Sequence, residues 1–221
     1  MKVLIAVTHL LGTGHLARAL TLARAFSAAS HQVQVVSGGF PAPQLDTDGI
    51  NLIQLPPLRS DGVDFTRLLA EGGGLADAAY LIRRQDVLCA ALNEMQPDVL
   101  ITELYPFGRR SLRKEFLALL DAAHALPRRP VILSSIRDIL APPSKPGKAD
   151  KADAVIAQFY DAVLVHSDPA ATKLEASWPV TRMLAGKLRY TGYVAPPAAG
   201  PHPSQAGSGE VLVSAGGGSV G

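Results

Sequence analysis

Only one cysteine, Cys89, occurs in the 221 residues, so neither an internal disulfide nor a cysteine-built metal centre is available. A lone thiol suits a reducing compartment. Charge is scarce as well: 18% of residues are charged, and 21 Lys and Arg against 19 Asp and Glu leave a formal net charge of +2. So small a basic excess excludes a nucleic-acid binder held by phosphate charge. No window reaches the roughly 18 consecutive apolar residues of a membrane span. The apolar run at residues 3–7 stops at Thr8-His9 and meets a glycine turn where a cleavage site would stand, which argues against a secretory signal. No basic amphipathic helix stands out, and peripheral membrane association stays open. The expectation is a soluble cytoplasmic protein.

What is present is apolar: 48% of the chain is hydrophobic, which excludes a disordered polymer. Residues 3–7 read as a strand buried on both faces. Gly12-Thr13-Gly14 leads into a helix with Leu16, Leu20, Ala23 and Phe26 at helical spacing and Thr13 as N-cap. Strands follow at 33–36, ended by Ser37-Gly38-Gly39, and at 50–55, closed by Pro56-Pro57. Residues 64–95 are helix-like with a break at Gly72-Gly73-Gly74. Further strands are expected at 98–103, 131–133 and 162–165, with helices at 112–125 and 154–160 and a mobile loop at 142–153. This alternation predicts an α/β Rossmann-like, doubly wound parallel sheet over residues 1–194. Residues 195–209 have linker composition, rich in Pro, Ala and Gly. Residues 210–221 then read as a fresh strand and a glycine loop, the opening of a second, truncated Rossmann-like domain.

Gly12-Thr13-Gly14-His15-Leu16-Ala17 matches G-x-G-x-x-A between a strand and a helix. Such a loop gathers backbone N–H groups and a positive helix end where an anion can sit, or it is simply a tight turn. A dinucleotide would need an acid after the second strand, and none occurs before Asp46. His15, at the carboxyl end of the first strand, is a candidate general base. Glu103 ends the 98–103 strand on the same sheet edge and is its candidate orienting acid. The alternative is a histidine that caps backbone groups of the turn. Arg109 and Arg137 follow strands on that edge and could neutralise an anionic acceptor, or pair internally. His9 lies on the same loop, and His166 reads as a neighbour of a helix cap at Ser167 or Asp168. Arg83, Arg84 and the lysines of 145–151 read as solvated charge. Histidine spacing supports no metal site.

The opening strand with Gly-Thr-Gly-His resembles the N-terminal half of GT-B glycosyltransferases, most of all the family-28 (MurG-like) group, with an echo of plant and bacterial UDP-sugar transferases. Four later blocks look like a bacterial group within that circle: Thr102-Glu103-Leu104-Tyr105-Pro106-Phe107-Gly108-Arg109-Arg110, Ser135-Ile136-Arg137-Asp138-Ile139-Leu140, Val163-Leu164-Val165-His166-Ser167-Asp168-Pro169 and Tyr190-Thr191-Gly192-Tyr193-Val194. The resemblance implies an acceptor-binding domain that supplies the base and a second domain that binds the nucleotide-sugar. It makes His15 the base, with Glu103 where UDP-sugar transferases, but not MurG-like enzymes, keep an acid. Gly12, Thr13, Gly14, Arg109 and Arg137 would meet the acceptor. Gly216, Gly217, Gly218 and Ser219 look like the loop that contacts the donor diphosphate. No cofactor or essential metal is implied. The expected chemistry is inverting transfer from a nucleotide-diphosphate sugar, a UDP-sugar by resemblance, to an acceptor hydroxyl, with the fragment inactive alone. Two other readings stand beside it: a non-catalytic glycan- or lipid-binding module, and half of a UDP-sugar 2-epimerase.

Overall fold

The computed structural model describes residues 1–62 and 67–196, with single positions 200, 201, 204, 205, 207, 209–211 and 213 beyond them. Among the described residues eight strands form one sheet: β1 Lys2–Val7, β2 Gln32–Gly39, β3 Asn51–Ser60, β4 Leu68–Leu69, β5 Val99–Glu103, β6 Val131–Arg137, β7 Ala162–His166 and β8 Leu188–Tyr190. The α-helices among the described residues are α1 Gly14–Ala28, α2 Ala78–Met95, α3 Arg113–Ala125, α4 Lys148–Phe159 and α5 Arg182–Lys187. The strand order is β4-β3-β2-β1-β5-β6-β7-β8. All neighbours are parallel except the short β3–β4 pair. This is the Rossmann-like, doubly wound α/β architecture, and its chain order reverses between β1 and β5, where such sheets bind ligands.

The continuous apolar run of β1 has a direct cause. Val3, Ile5 and Val7 face α1 through Leu16 and Leu20, while Leu4 and Ala6 face the layer built from α2, α3 and α4. A strand covered on both faces has no polar side to show.

Several expected boundaries move. Pro56 and Pro57 do not close β3, because the β2–β3 register shifts there, from Ser37 opposite Gln54 to Gly39 opposite Leu58. Prolines have no N–H to lose at such a bulge. Their carbonyls are taken by side chains of α2, with Tyr80 donating to Pro57 at 2.8 Å and Arg84 donating to Pro56. The helix expected over 64–95 begins only at Ala78, after Asp77, whose side chain accepts from the Tyr80 amide at 2.7 Å; residues 63–66 lie outside the described set. The mobile loop expected over 142–153 ends early, because α4 starts at Lys148. Its polar Lys-Ala-Asp-Lys-Ala-Asp start hides a stripe of Ala152, Val155, Ile156 and Phe159 that packs into the core.

Arg84 is the clearest correction. Expected in solvent, it is fully buried, with Nε 2.9 Å from Glu115 Oε2, Nη2 3.1 Å from Oε1, and Nη1 donating to the Gly38 carbonyl at 2.9 Å. It ties α2, α3 and the end of β2 together. Of the strand and glycine loop expected over 210–221, Gly216, Gly217, Gly218 and Ser219 all lie outside the described residues. Among the described residues no helix is long and apolar enough to cross a membrane.

Candidate functional site

The carboxyl ends of β1 and β5 meet at the switch point, and their following residues form the site. Thr13 takes the expected N-cap position of α1, though its side chain makes no capping bond. With no acid in the first turn, the leading amides of α1 keep a positive end toward the crevice. Gly12, Thr13 and Gly14 line a cleft of about 550 Å³ together with His15, Arg109 and Arg137.

His15 Nδ1 lies 2.9 Å from Glu103 Oε1. Glu103 is buried, at 1% exposure, yet well supplied with donors. Arg18 Nη2 donates to Oε1 and Arg18 Nε reaches Oε2 at 3.4 Å, while Ser135 Oγ donates to Oε2 at 2.6 Å. Burial by itself pushes the carboxyl pKa up, but the bond from His15 and the charge of Arg18 outweigh it and bring it down to about 2. Glu103 is therefore ionised at neutral pH and has only lone pairs to offer. The hydrogen of neutral His15 consequently sits on Nδ1, and Nε2 carries the free lone pair. Burial also lowers the His15 pKa below its ordinary value, with the Glu103 bond opposing that change and Arg109 reinforcing it.

The hydrogen bonds continue beyond the carboxylate. Ser135 Oγ stands 2.9 Å from His166 Nε2, and His166 Nδ1 stands 2.7 Å from Thr191 Oγ1. Since the Ser135 hydrogen goes to Glu103, its oxygen accepts from His166 Nε2–H, and Nδ1 accepts from Thr191. That tautomer agrees with a neutral ring, whose pKa burial lowers to about 4 against the opposing charge of Glu103. Every donor in the chain Thr191, His166, Ser135 thus points toward Glu103. His166 is a member of this network rather than a neighbour of a cap, and Asp168 closes a turn instead, accepting from the Ala170 amide at 2.8 Å.

The strand end that presents Glu103 is held tightly. Thr102 Oγ1 meets Tyr160 OH at 2.7 Å, and the Leu104 amide donates to the Ser135 carbonyl at 2.8 Å. Tyr105 stacks on Phe116 with centroids 4.6 Å apart. Arg109, in the left-handed region at φ 58°, donates through Nε to the Thr8 carbonyl. Burial lowers its pKa to about 10, with Glu103 opposing, so it stays charged. Arg137 is more exposed and spends its Nε on Asp138 at 3.2 Å. His9 turns from the cleft and bonds through Nε2 to the Phe40 carbonyl at 2.9 Å. Among the described residues no group of three His, Cys, Asp or Glu side chains could hold a metal.

Sequence alone singles out His15 and Glu103 but not Arg18, Ser135 or Thr191. Arg18 is within its reach, because a residue three positions after His15 shares its helix face. Ser135 is the register partner of Glu103, a relationship that no local spacing reveals.

No family model matches the sequence, and no curated protein matches it. Solved structures do resemble the fold. A glycosyltransferase from Rickettsia africae ESF-5 superposes with a TM-score of 0.51 at 12% identity, over 86% of this chain and 42% of that one. MurG from Acinetobacter baumannii gives 0.47 at 17% identity, over 78% and 44%. A UDP-N-acetylglucosamine 2-epimerase from Rickettsia bellii gives 0.49 at 12% identity, over 87% and 45%. The chain thus spans less than half the length of these structures. At 12% identity the superposition on the Rickettsia africae structure shows a shared fold alone.

Proposed function

We propose that the chain is the acceptor-binding half of an inverting glycosyltransferase of the GT-B, family-28 type, acting in the cytoplasm on a nucleotide-diphosphate sugar, with UDP as the nucleotide. The observation that carries this reading is the His15–Glu103 hydrogen bond at the switch point, which leaves the basic Nε2 of a cleft-lining histidine without a hydrogen-bond partner among the described residues. In this reading His15 Nε2 takes the proton of an acceptor hydroxyl. The oxygen then attacks the anomeric carbon of the donor from the face opposite the nucleotide diphosphate. The new C–O bond forms as the bond to the diphosphate breaks, which inverts the centre. Glu103 does not take the proton; it fixes the ring and stabilises the imidazolium. Arg109 and the amide end of α1 offer positive charge to an acceptor, and Gly216, Gly217, Gly218 and Ser219 would meet the donor diphosphate. In domain terms, residues 1–194 bind the acceptor, 195–209 link, and 210–221 begin the donor domain.

The test is transfer or hydrolysis of a UDP-sugar by this chain and by the longest product of its gene, in wild-type and His15→Ala forms. Loss of turnover in a variant that melts like the wild type supports the assignment. Undiminished turnover in that variant refutes it.

A further inference from the structure

Leu10 and Arg109 form a shared wall between the His15 cleft and a second cavity of about 590 Å³ on the same sheet edge. The polar side of this second cavity carries Arg109, Arg110, Lys145 and Lys148, and its apolar side carries Phe107 and Leu140. No aspartate or glutamate lines it. Among the described residues none of the four cations joins an ion pair. Arg109 is occupied by the Thr8 carbonyl and Lys148 by Ser144 Oγ at 3.4 Å, both neutral acceptors. Elsewhere this chain does pair its surface cations, as in Arg24 with Asp46 and Arg129 with Asp161. Arg109 feels the charge of Glu103, but Arg110, Lys145 and Lys148 line the concavity without a counter-charge and repel one another, and an anion placed among them removes that repulsion. Burial pulls the Lys148 pKa down, and the charge of Arg110 pulls it further, in keeping with a local excess of positive charge. The polar side comes from two separate segments, the loop after β5 and the start of α4 with the turn before it, so the concentration of charge is a product of the fold.

We propose that this cavity binds an anionic group, a phosphate or carboxylate, attached to an apolar body. The anion meets Arg110, Lys145 and Lys148 while the body lies against Phe107 and Leu140. The further identification of this ligand as the acceptor, with its hydroxyl reaching His15 past Leu10, rests on the transferase reading; the anion site itself does not.

The test is titration of the 221-residue protein with phenyl phosphate, benzoate and benzyl alcohol, followed by amide chemical shifts. At least one anion is expected to bind tenfold or more tightly than benzyl alcohol, with shifts at residues 107–111 and 140–148. The better of the two anions identifies the headgroup. In the Arg110→Gln, Lys148→Gln double variant the anion should lose at least tenfold in affinity while benzyl alcohol binds as before. The exposed Lys145→Gln variant gives an independent smaller loss that needs no change to α4. Anions that bind no better than the alcohol overturn the proposal, as does a double variant with wild-type affinity or shifts confined to residues 12–15. Because these titrations involve no turnover, they separate from the His15→Ala result. Anion binding with undiminished His15→Ala turnover keeps the site and removes His15 as the base, and the converse pair of results does the opposite.

Discussion

Ser135 Oγ donates to Glu103 Oε2 at 2.6 Å, across two adjacent strands on which the two residues are register partners. The serine thus holds the far oxygen of the carboxylate whose near oxygen accepts from His15. Ser135→Ala removes a hydrogen bond to a charged group and leaves His166 Nε2–H facing a methyl, a change worth about 1.5–3 kcal/mol of stability by the usual scale of such bonds. Urea unfolding at pH 7 measures it. A loss below about 0.5 kcal/mol would mean that water replaces the hydroxyl at no cost.

Acid should weaken the fold in two stages. His166 has a folded pKa of about 4, below the ordinary 6.5 of an unfolded histidine. The unfolded chain therefore binds the extra proton first, and stability falls as pH drops from about 6.5 toward 4. The lowered pKa values of His15 and His9 act in the same upper window. Glu103, depressed from 4.5 to about 2, contributes stability that is whole above pH 4.5 and lost between there and pH 2. One pH unit between the folded and unfolded pKa of a group corresponds to about 1.4 kcal/mol. Denaturation midpoints from pH 7 to 3 should follow this course, and His166→Asn should flatten the upper stage without abolishing it. A variant with the wild-type slope from pH 6.5 to 4 would contradict the neutral, buried ring.

If His15 is the base, the acid limb of kcat/KM reports its pKa in the free protein. That limb should lie below pH 6.5, because burial outweighs the supporting bond from Glu103. Glu103→Gln removes the negative charge that holds the pKa up, so the limb moves to lower pH while the plateau falls by up to about 10⁴, the scale of replacing a triad carboxylate by its amide. An acid limb that moves upward in Glu103→Gln would show that the titrating group is not His15.

Much of this site is legible in the sequence because its parts sit at strand ends. A glycine loop after one buried strand and an acid at the end of another must share an edge if the sheet is parallel, which is how His15 and Glu103 can be paired on sequence alone. Ser135 and Thr191 stay hidden because they act through inter-strand register. The short α5 and β8, Arg182–Lys187 and Leu188–Tyr190, carry too few residues for a periodic signal. The helix expected over 64–95 is too long because the glycine break looks like an interruption, whereas the helix starts afresh at the Asp77 cap. Arg84 is misplaced for a different reason: charge normally marks solvent, and nothing along the chain announces that Glu115 will be waiting 31 residues away.

That pair gives a prediction independent of any activity. Arg84 and Glu115 are both buried and doubly hydrogen-bonded, with Gly38 and Pro56 carbonyls completing the guanidinium. Burial pushes the Glu115 pKa up and Arg84 opposes it, so Glu115 depends on its partner to stay charged in the core. Arg84→Ala leaves a carboxyl without its cation and two carbonyls without their donor, and should cost about 3–5 kcal/mol. The double replacement Arg84→Met, Glu115→Leu removes both charges together and fills most of the space, so its cost should fall well short of the sum of the two single changes. Urea unfolding of the four proteins in a double-mutant cycle decides it. Strict additivity would mean that the two side chains are not coupled, and that α2 and α3 are held by their apolar contacts alone.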